Sequence, residues 1–158
     1  MLLMAVDTWH ESLVALRAVP TVLDGLLDGA GEERATARPA PDAWSAVEVA
    51  AHLADVCEQA AARTGRVRAV DGAALADFDH VGLVERRDDP SLGAARDRFG
   101  REHARLVGLL DELGPDERER TAGLQSAGPT PLPDYVWHVA SEHVDHLAQL
   151  RRALDGRS

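Results

Sequence analysis

The sequence predicts an all-α fold, a four-helix bundle with long connections between helices. Four segments repeat apolar residues at intervals of three and four over helical lengths, and no segment shows the two-residue alternation of a half-buried strand. The links between them are long, polar and rich in glycine and proline, as in bundles whose helices are joined by crossovers. At 158 residues the chain has the size of one domain with its own core, residues 1–158.

The first helix spans about residues 6–28, with Val6, Trp9, Leu13, Leu16, Leu23, Leu26 and Leu27 at helical spacing. Pro20 lies inside it, lacks an amide donor and clashes with the preceding turn, so a kink or break is expected there. The stretch GAGEERATARPAPDA connects it to a second helix that has a sharp start. Ser45-Ala46-Val47-Glu48 fits the capping box, in which the serine oxygen accepts from the Glu48 amide while the Glu48 carboxylate accepts from the Ser45 amide. Trp44 and Val49 are spaced as a hydrophobic staple around that cap. The stripe Val49, His52, Leu53, Val56 and Cys57 runs on to about Thr64, where Gly65 is expected to end the helix. His52 is thus placed on the inward face.

Residues 65–90 show no sustained period and read as an irregular connection with one short helical turn. Loops of that length in compact domains are often functional. A third helix is expected from about Pro90 to Leu113, with Leu92, Ala95, Phe99, Leu106, Leu110 and Leu113 on its stripe and Gly114-Pro115 closing it. After PDERERTAGLQSAGPTPLP the fourth helix starts near Thr130 or Asp134, either of which would cap it, with Pro131 or Pro133 tolerated in its first turn. It continues to about Leu154.

A formal net charge of −10 gives no basic face for a phosphate backbone, so nucleic acid is not an expected partner. No apolar run approaches the roughly 18–20 residues that span a bilayer, so no membrane is expected either. The leading MLLMAV is too short for a signal-peptide core and is followed by Asp7 and Glu11, which points to the cytoplasm. The single Cys57, set among apolar helix positions, reads as a buried structural thiol. Every basic residue is arginine, a bias typical of high-GC genomes.

The chemistry concentrates in VWHVASEHVDHLAQL, residues 136–150. Residues four apart stack on one helix face, so His138, Glu142 and His146 form a column, while His143 points about 100° away from Glu142. Facing inward, the column would meet His52 on the second helix, and two imidazoles with a carboxylate suit a divalent first-row cation with a position left open. An inward glutamate without a cation or donor is costly to desolvate. The alternatives are a Glu142–arginine pair on a wet face and histidines satisfied by hydrogen bonds. His143, three residues from His146, and His138, eight residues from it, remain rival ligands. His10 and His80 read as solvated, and His103 as a hydrogen-bonded core histidine with a second role in supporting ligands as the alternative.

WSAVEVAAHLADV (44–56) and EHVDHLAQL (142–150), together with PSLGAARDRFGREHARLVGLLDEL and GPTPLP, resemble the DinB-like superfamily of metal-binding four-helix bundles. That superfamily includes YfiT-type proteins and the mycothiol-dependent maleylpyruvate isomerases. The resemblance implies a metal held by the histidine of the second helix and by two residues one turn apart on the last, here His52, Glu142 and His146. Glu142 stands where many members have histidine, which resembles the isomerase branch. The implied cofactor is a divalent ion, Zn²⁺ or Ni²⁺, with mycothiol as co-substrate. The implied activity is thiol-dependent S-transfer or isomerisation of an electrophile. Metal-assisted hydrolysis, and a non-catalytic bundle that stores or senses metal or dimerises through a helix face, are the alternatives.

Overall fold

A computed structural model describes residues 7–85, 88 and 90–158. Val6 and the rest of MLLMAV lie outside the described residues. Four long helices form the bundle: α1 (Thr8–Asp28), α3 (Ala46–Ala69), α5 (Leu92–Glu112) and α7 (Leu132–Leu154). Short helices α2 (Glu32–Thr36), α4 (His80–Glu85) and α6 (Pro115–Arg118) sit in the connections. The helix α3 packs along both α5 and α7, and α1 packs along α7 and touches α5. One apolar cluster joins all four, from Leu16 and Leu23 on α1 through Leu53 on α3 and Phe99 and Leu106 on α5 to Leu150 on α7.

Two local expectations are overturned, and a third loses one of its two alternatives. The helix α1 is continuous through Pro20 and does not break there. Proline removes one amide bond, while Leu16, Val19, Leu23 and Leu27 on either side are all buried and hold both halves against the core. The helix α3 passes Gly65 and ends at Ala69. A glycine inside a helix costs about 1 kcal/mol. Against that cost, the extra turn buries Val67 and sets Arg68 against Glu117 and Glu112 at 3.0 and 3.3 Å. Neither Thr130 nor Asp134 caps α7, whose N-cap is Pro131. The Leu132 amide donates to the Arg120 carbonyl at 2.9 Å, and Pro133 has no amide to satisfy.

The connections also hold strands that the sequence reading did not expect. β1 (Ala74–Leu75), β2 (Thr121–Leu124) and β3 (Gly128–Pro131) form a sheet in that order. β1 lies parallel to β2, with Ala74 opposite Gly123, and β2–β3 is an antiparallel hairpin whose turn uses Gly128 at φ 74°. Leu75 and Ala122 are buried, which fastens the sheet to the bundle. A Cβ on Gly123 would stand 3.1 Å from the Ala73 and Gly72 carbonyl oxygens, so only glycine lets β1 approach this closely.

The capping box of α3 is complete: Glu48 N donates to Ser45 Oγ at 3.1 Å and Ser45 N to Glu48 Oε2 at 2.8 Å. Arg38 donates to the same carboxylate from Nε, at 3.0 Å, and from Nη2. Burial acts to raise the Glu48 carboxyl, but the Arg38 and Ser45 hydrogen bonds outweigh it and hold it below the usual range.

Cys57, His103 and His143 lie inside the apolar core. His143 Nδ1–H donates to the Val139 carbonyl at 2.7 Å, which leaves Nε2 to accept from the Cys57 thiol at 3.2 Å. His103 Nε2–H donates to the Leu16 carbonyl at 2.8 Å, the hydrogen-bonded core histidine expected from its place in the sequence. Burial pushes the Cys57 thiol well up and His143 down to about 4, so both are neutral at pH 7.

Replacing Glu48 by alanine removes half of the capping box and the Arg38–Glu48 ion pair, so a loss of about 2 kcal/mol is expected in denaturant unfolding. The second expectation follows from His143, whose folded-state pKa lies below its unfolded value. The unfolded chain then binds more protons, so its contribution is complete above about pH 6.5 and is lost as pH falls toward about 4. Unfolding midpoints measured from pH 7.5 to 4.5 should fall through that window, and His143→Gln should flatten the fall.

Candidate metal centre

Heptad-like spacing on α3 and α7 sets one face of each helix against the other, and His52 and His146 meet across that seam. Their Nε2 atoms are 3.0 Å apart, with ring centroids 4.5 Å apart and planes at 76°. His146 Nδ1–H donates to Gln149 Oε1 at 2.8 Å, which fixes the tautomer and leaves the His146 Nε2 lone pair pointing at His52. The ring of Trp44, the residue before the α3 cap, lies 5.0 Å from His52 and covers it. His52 is buried and His146 is half-buried.

The column on α7 does not enter the core as a unit. His146 is half-buried, the Glu142 side chain is 31% exposed and His138 is 65% exposed, so the column runs along the edge of the interior. The face that points fully inward carries His143 instead. The Glu142 carboxylate lies 3.6 Å from His138 Nε2. Among the described residues, no three histidine, cysteine, aspartate or glutamate side chains stand close enough to hold an ion together as placed. The structure thus joins His52 with His146 and keeps Glu142 one turn away on the same side of α7.

The rivals are separated by their partners. Both ring nitrogens of His143 are engaged, by Val139 and by Cys57, and its ring is enclosed by the core. His138 is exposed beside Glu142. His10 is exposed, as expected.

His80 corrects the reading. It was expected in solvent, yet it opens α4 half-buried, with its ring 5.4 Å from His52 and 4.3 Å from Phe78. Its Nδ1 is buried without a hydrogen-bond partner among the described residues. Burial pushes its pKa down, Glu142 acts to raise it, and Arg63 and His146 lower it further, so the ring faces the same groups as the histidine pair. The sequence signal was the long 65–90 connection itself, whose folding back onto α3 brings this imidazole to the centre.

The donor chemistry suits a divalent first-row cation. Two imidazole nitrogens already converge, one has its tautomer set by an outer hydrogen bond, and an anionic carboxylate lies one helical turn from the second. A cleft of about 620 Å³ adjoins the centre, walled by Arg63 of α3, Phe78 and His80, the hairpin from Leu124 to Thr130, and Tyr135 and His138 of α7. Its size suits a small organic molecule. His80 belongs to both the cleft wall and the imidazole cluster.

Among the described residues, no helix is long and apolar enough to cross a membrane. No curated protein matches the chain. Among solved structures, YfiT from Bacillus subtilis, described as a probable metal-dependent hydrolase with an unusual four-helix bundle topology, matches with a TM-score of 0.76 at 20% identity. The match covers 98% of this chain and 91% of that one, and it shows a shared fold. The family model of the DinB superfamily matches residues 15–150, from the first turns of α1 to the end of the Glu142–Leu150 segment. The chain is a four-helix bundle protein that belongs to the DinB superfamily.

Proposed function

We propose that the chain is a divalent-metal-dependent enzyme that activates a low-molecular-weight, mycothiol-like thiol for S-transfer or isomerisation of an electrophile held in the adjoining cleft. The observation that carries the proposal is the 3.0 Å approach of His52 and His146 Nε2 beside His80, a residue of the cleft wall. Two imidazoles brought this close through opposing helices form half of a coordination shell.

In this reading His52, His146 and Glu142 hold the cation, with zinc or nickel as the metal. A bound cation would lower the pKa of a coordinated thiol or water so that it attacks near neutral pH. The remaining work falls to the chain. Gln149 keeps His146 Nε2 unprotonated and aimed. Trp44 shields His52 from water on one side, and the buried wall of α3 keeps the local dielectric low. Tyr135 and His80 wall the cleft, where they would contact an incoming substrate, and His80 also stands beside His52. A reducing cytoplasm, where such thiols abound, is the compartment that this chemistry requires.

Hydrolysis is the second reading. It is favoured by the likeness to YfiT, a probable metal-dependent hydrolase, because the same site can activate water.

Metal stoichiometry of purified variants tests the ligand set. Glu142→Ala should weaken metal binding about tenfold or more, while His143→Ala should leave it intact and lower only stability. Loss confined to His143→Ala would reverse the assignment. Adding a thiol to the Co²⁺-substituted protein should produce a sulfur-to-cobalt charge-transfer band. Metal without that band, combined with turnover of ester or amide substrates, would establish the hydrolase reading instead.

A further inference from the structure

Arg63 follows His52 by eleven residues on α3, about three helical turns, so it lies on the same face and enters the cleft. Its guanidinium is anchored by Nη2, which donates to the Ala76 carbonyl, and it shares the cleft wall with Tyr135, whose phenol it acts to lower against the rise caused by burial. Its Nε is buried and has no hydrogen-bond partner among the described residues. No carboxylate of the described residues forms an ion pair with it, whereas Arg38, Arg68, Arg96 and Arg98 on the same bundle are each paired. A half-buried guanidinium held in place without a counter-charge leaves an electrostatic vacancy.

We propose that Arg63, with Tyr135, forms a carboxylate-binding subsite of the cleft, so that the substrate is an organic acid whose reacting end lies toward His52 and His146. The planar guanidinium offers paired donors that match a carboxylate, and the phenol adds a hydroxyl donor beside it. Tyr135 is buried and feels both Arg63 and Glu142, so it spans the distance from the subsite to the ligand carboxylate. Phe78 and Leu124 supply apolar wall for the body of the acid. Asp77 and Asp134 also line the cleft, but both are exposed, where solvent and salt screen them. A single arginine suits one carboxylate better than a phosphate, whose higher charge calls for several cations.

The direction of the substrate rests on the metal-dependent reading above, but the binding itself does not, so the test uses metal-free protein. Phenylacetate, its neutral amide phenylacetamide and inorganic phosphate are titrated by calorimetry into chelator-treated wild type and into His146→Ala. The acid should bind about tenfold more tightly than the amide and than phosphate in both proteins. Arg63→Gln should abolish the preference for the acid while helical circular dichroism and melting temperature persist, and Tyr135→Phe should weaken acid binding several-fold. Should Arg63→Gln fail to fold, the Arg63 Nε–H resonance of the wild type should shift with phenylacetate and stay fixed with the amide. Equal affinity for acid and amide, tighter binding of phosphate, or an acid preference that survives Arg63→Gln would overturn the proposal. Loss of metal binding with this preference intact would overturn the metal reading alone.

Discussion

Everything at the centre depends on holding two imidazole nitrogens face to face on different helices. His52 and His146 are separated by most of the chain, and their 3.0 Å approach is a product of packing along the whole length of α3 and α7. Two imidazole rings gain little from one hydrogen bond between them, about 1 kcal/mol. The bundle therefore positions the pair, and the pair does not hold the bundle. That positioning draws on the alanine-rich face of α3, where Ala46, Ala50, Ala54, Ala60 and Ala61 are buried and let neighbouring helices come close. It also draws on the fixed start of α3, because a capped helix cannot slide or fray past His52, less than two turns from the cap.

The interior is polar where the helices meet, and its polar groups fall into two kinds. Cys57, His103 and His143 each have a partner inside the protein, so they stay neutral and inert. His80 and Arg63 face the cleft with hydrogen-bonding capacity left over, and Tyr135 lines it beside them. The division lies along α7. Turning by one residue, from Glu142 to His143, moves a side chain from the edge of the interior into the apolar core. A half-exposed carboxylate and a fully enclosed imidazole are thus adjacent residues of one helix.

The bundle was legible because apolar periodicity, the Ser45–Glu48 box and the Gly114-Pro115 stop are local signals with local causes. A break at Pro20 and a stop at Gly65 are absent for the opposite reason, since both local penalties are outweighed by contacts made by distant parts of the chain. The strands were hidden by length: two to four residues with glycine and proline carry no period, and pairing across the sheet defines them. Spacing alone placed His138, Glu142 and His146 on one column. The depth of that column depends on the rotation of α7 against α3, which no local pattern encodes. His80 was missed because the fold, and not the sequence around it, returns the connection to α3.

The small sheet separates two things that could have been entangled. The histidine pair and Glu142 belong to α3 and α7, whereas much of the cleft wall belongs to the segment after β1 and to the β2–β3 hairpin. These segments are joined by strand pairing at Gly123 and are fastened to the bundle by Leu75 and Ala122. The hairpin turn and the residues after β1 can therefore be lengthened, shortened or recoloured while the helices beneath stay in register. For an engineer, that makes the molecule a socket with an exchangeable collar: the cleft can be reshaped by grafting turns, leaving the paired histidines of the floor untouched.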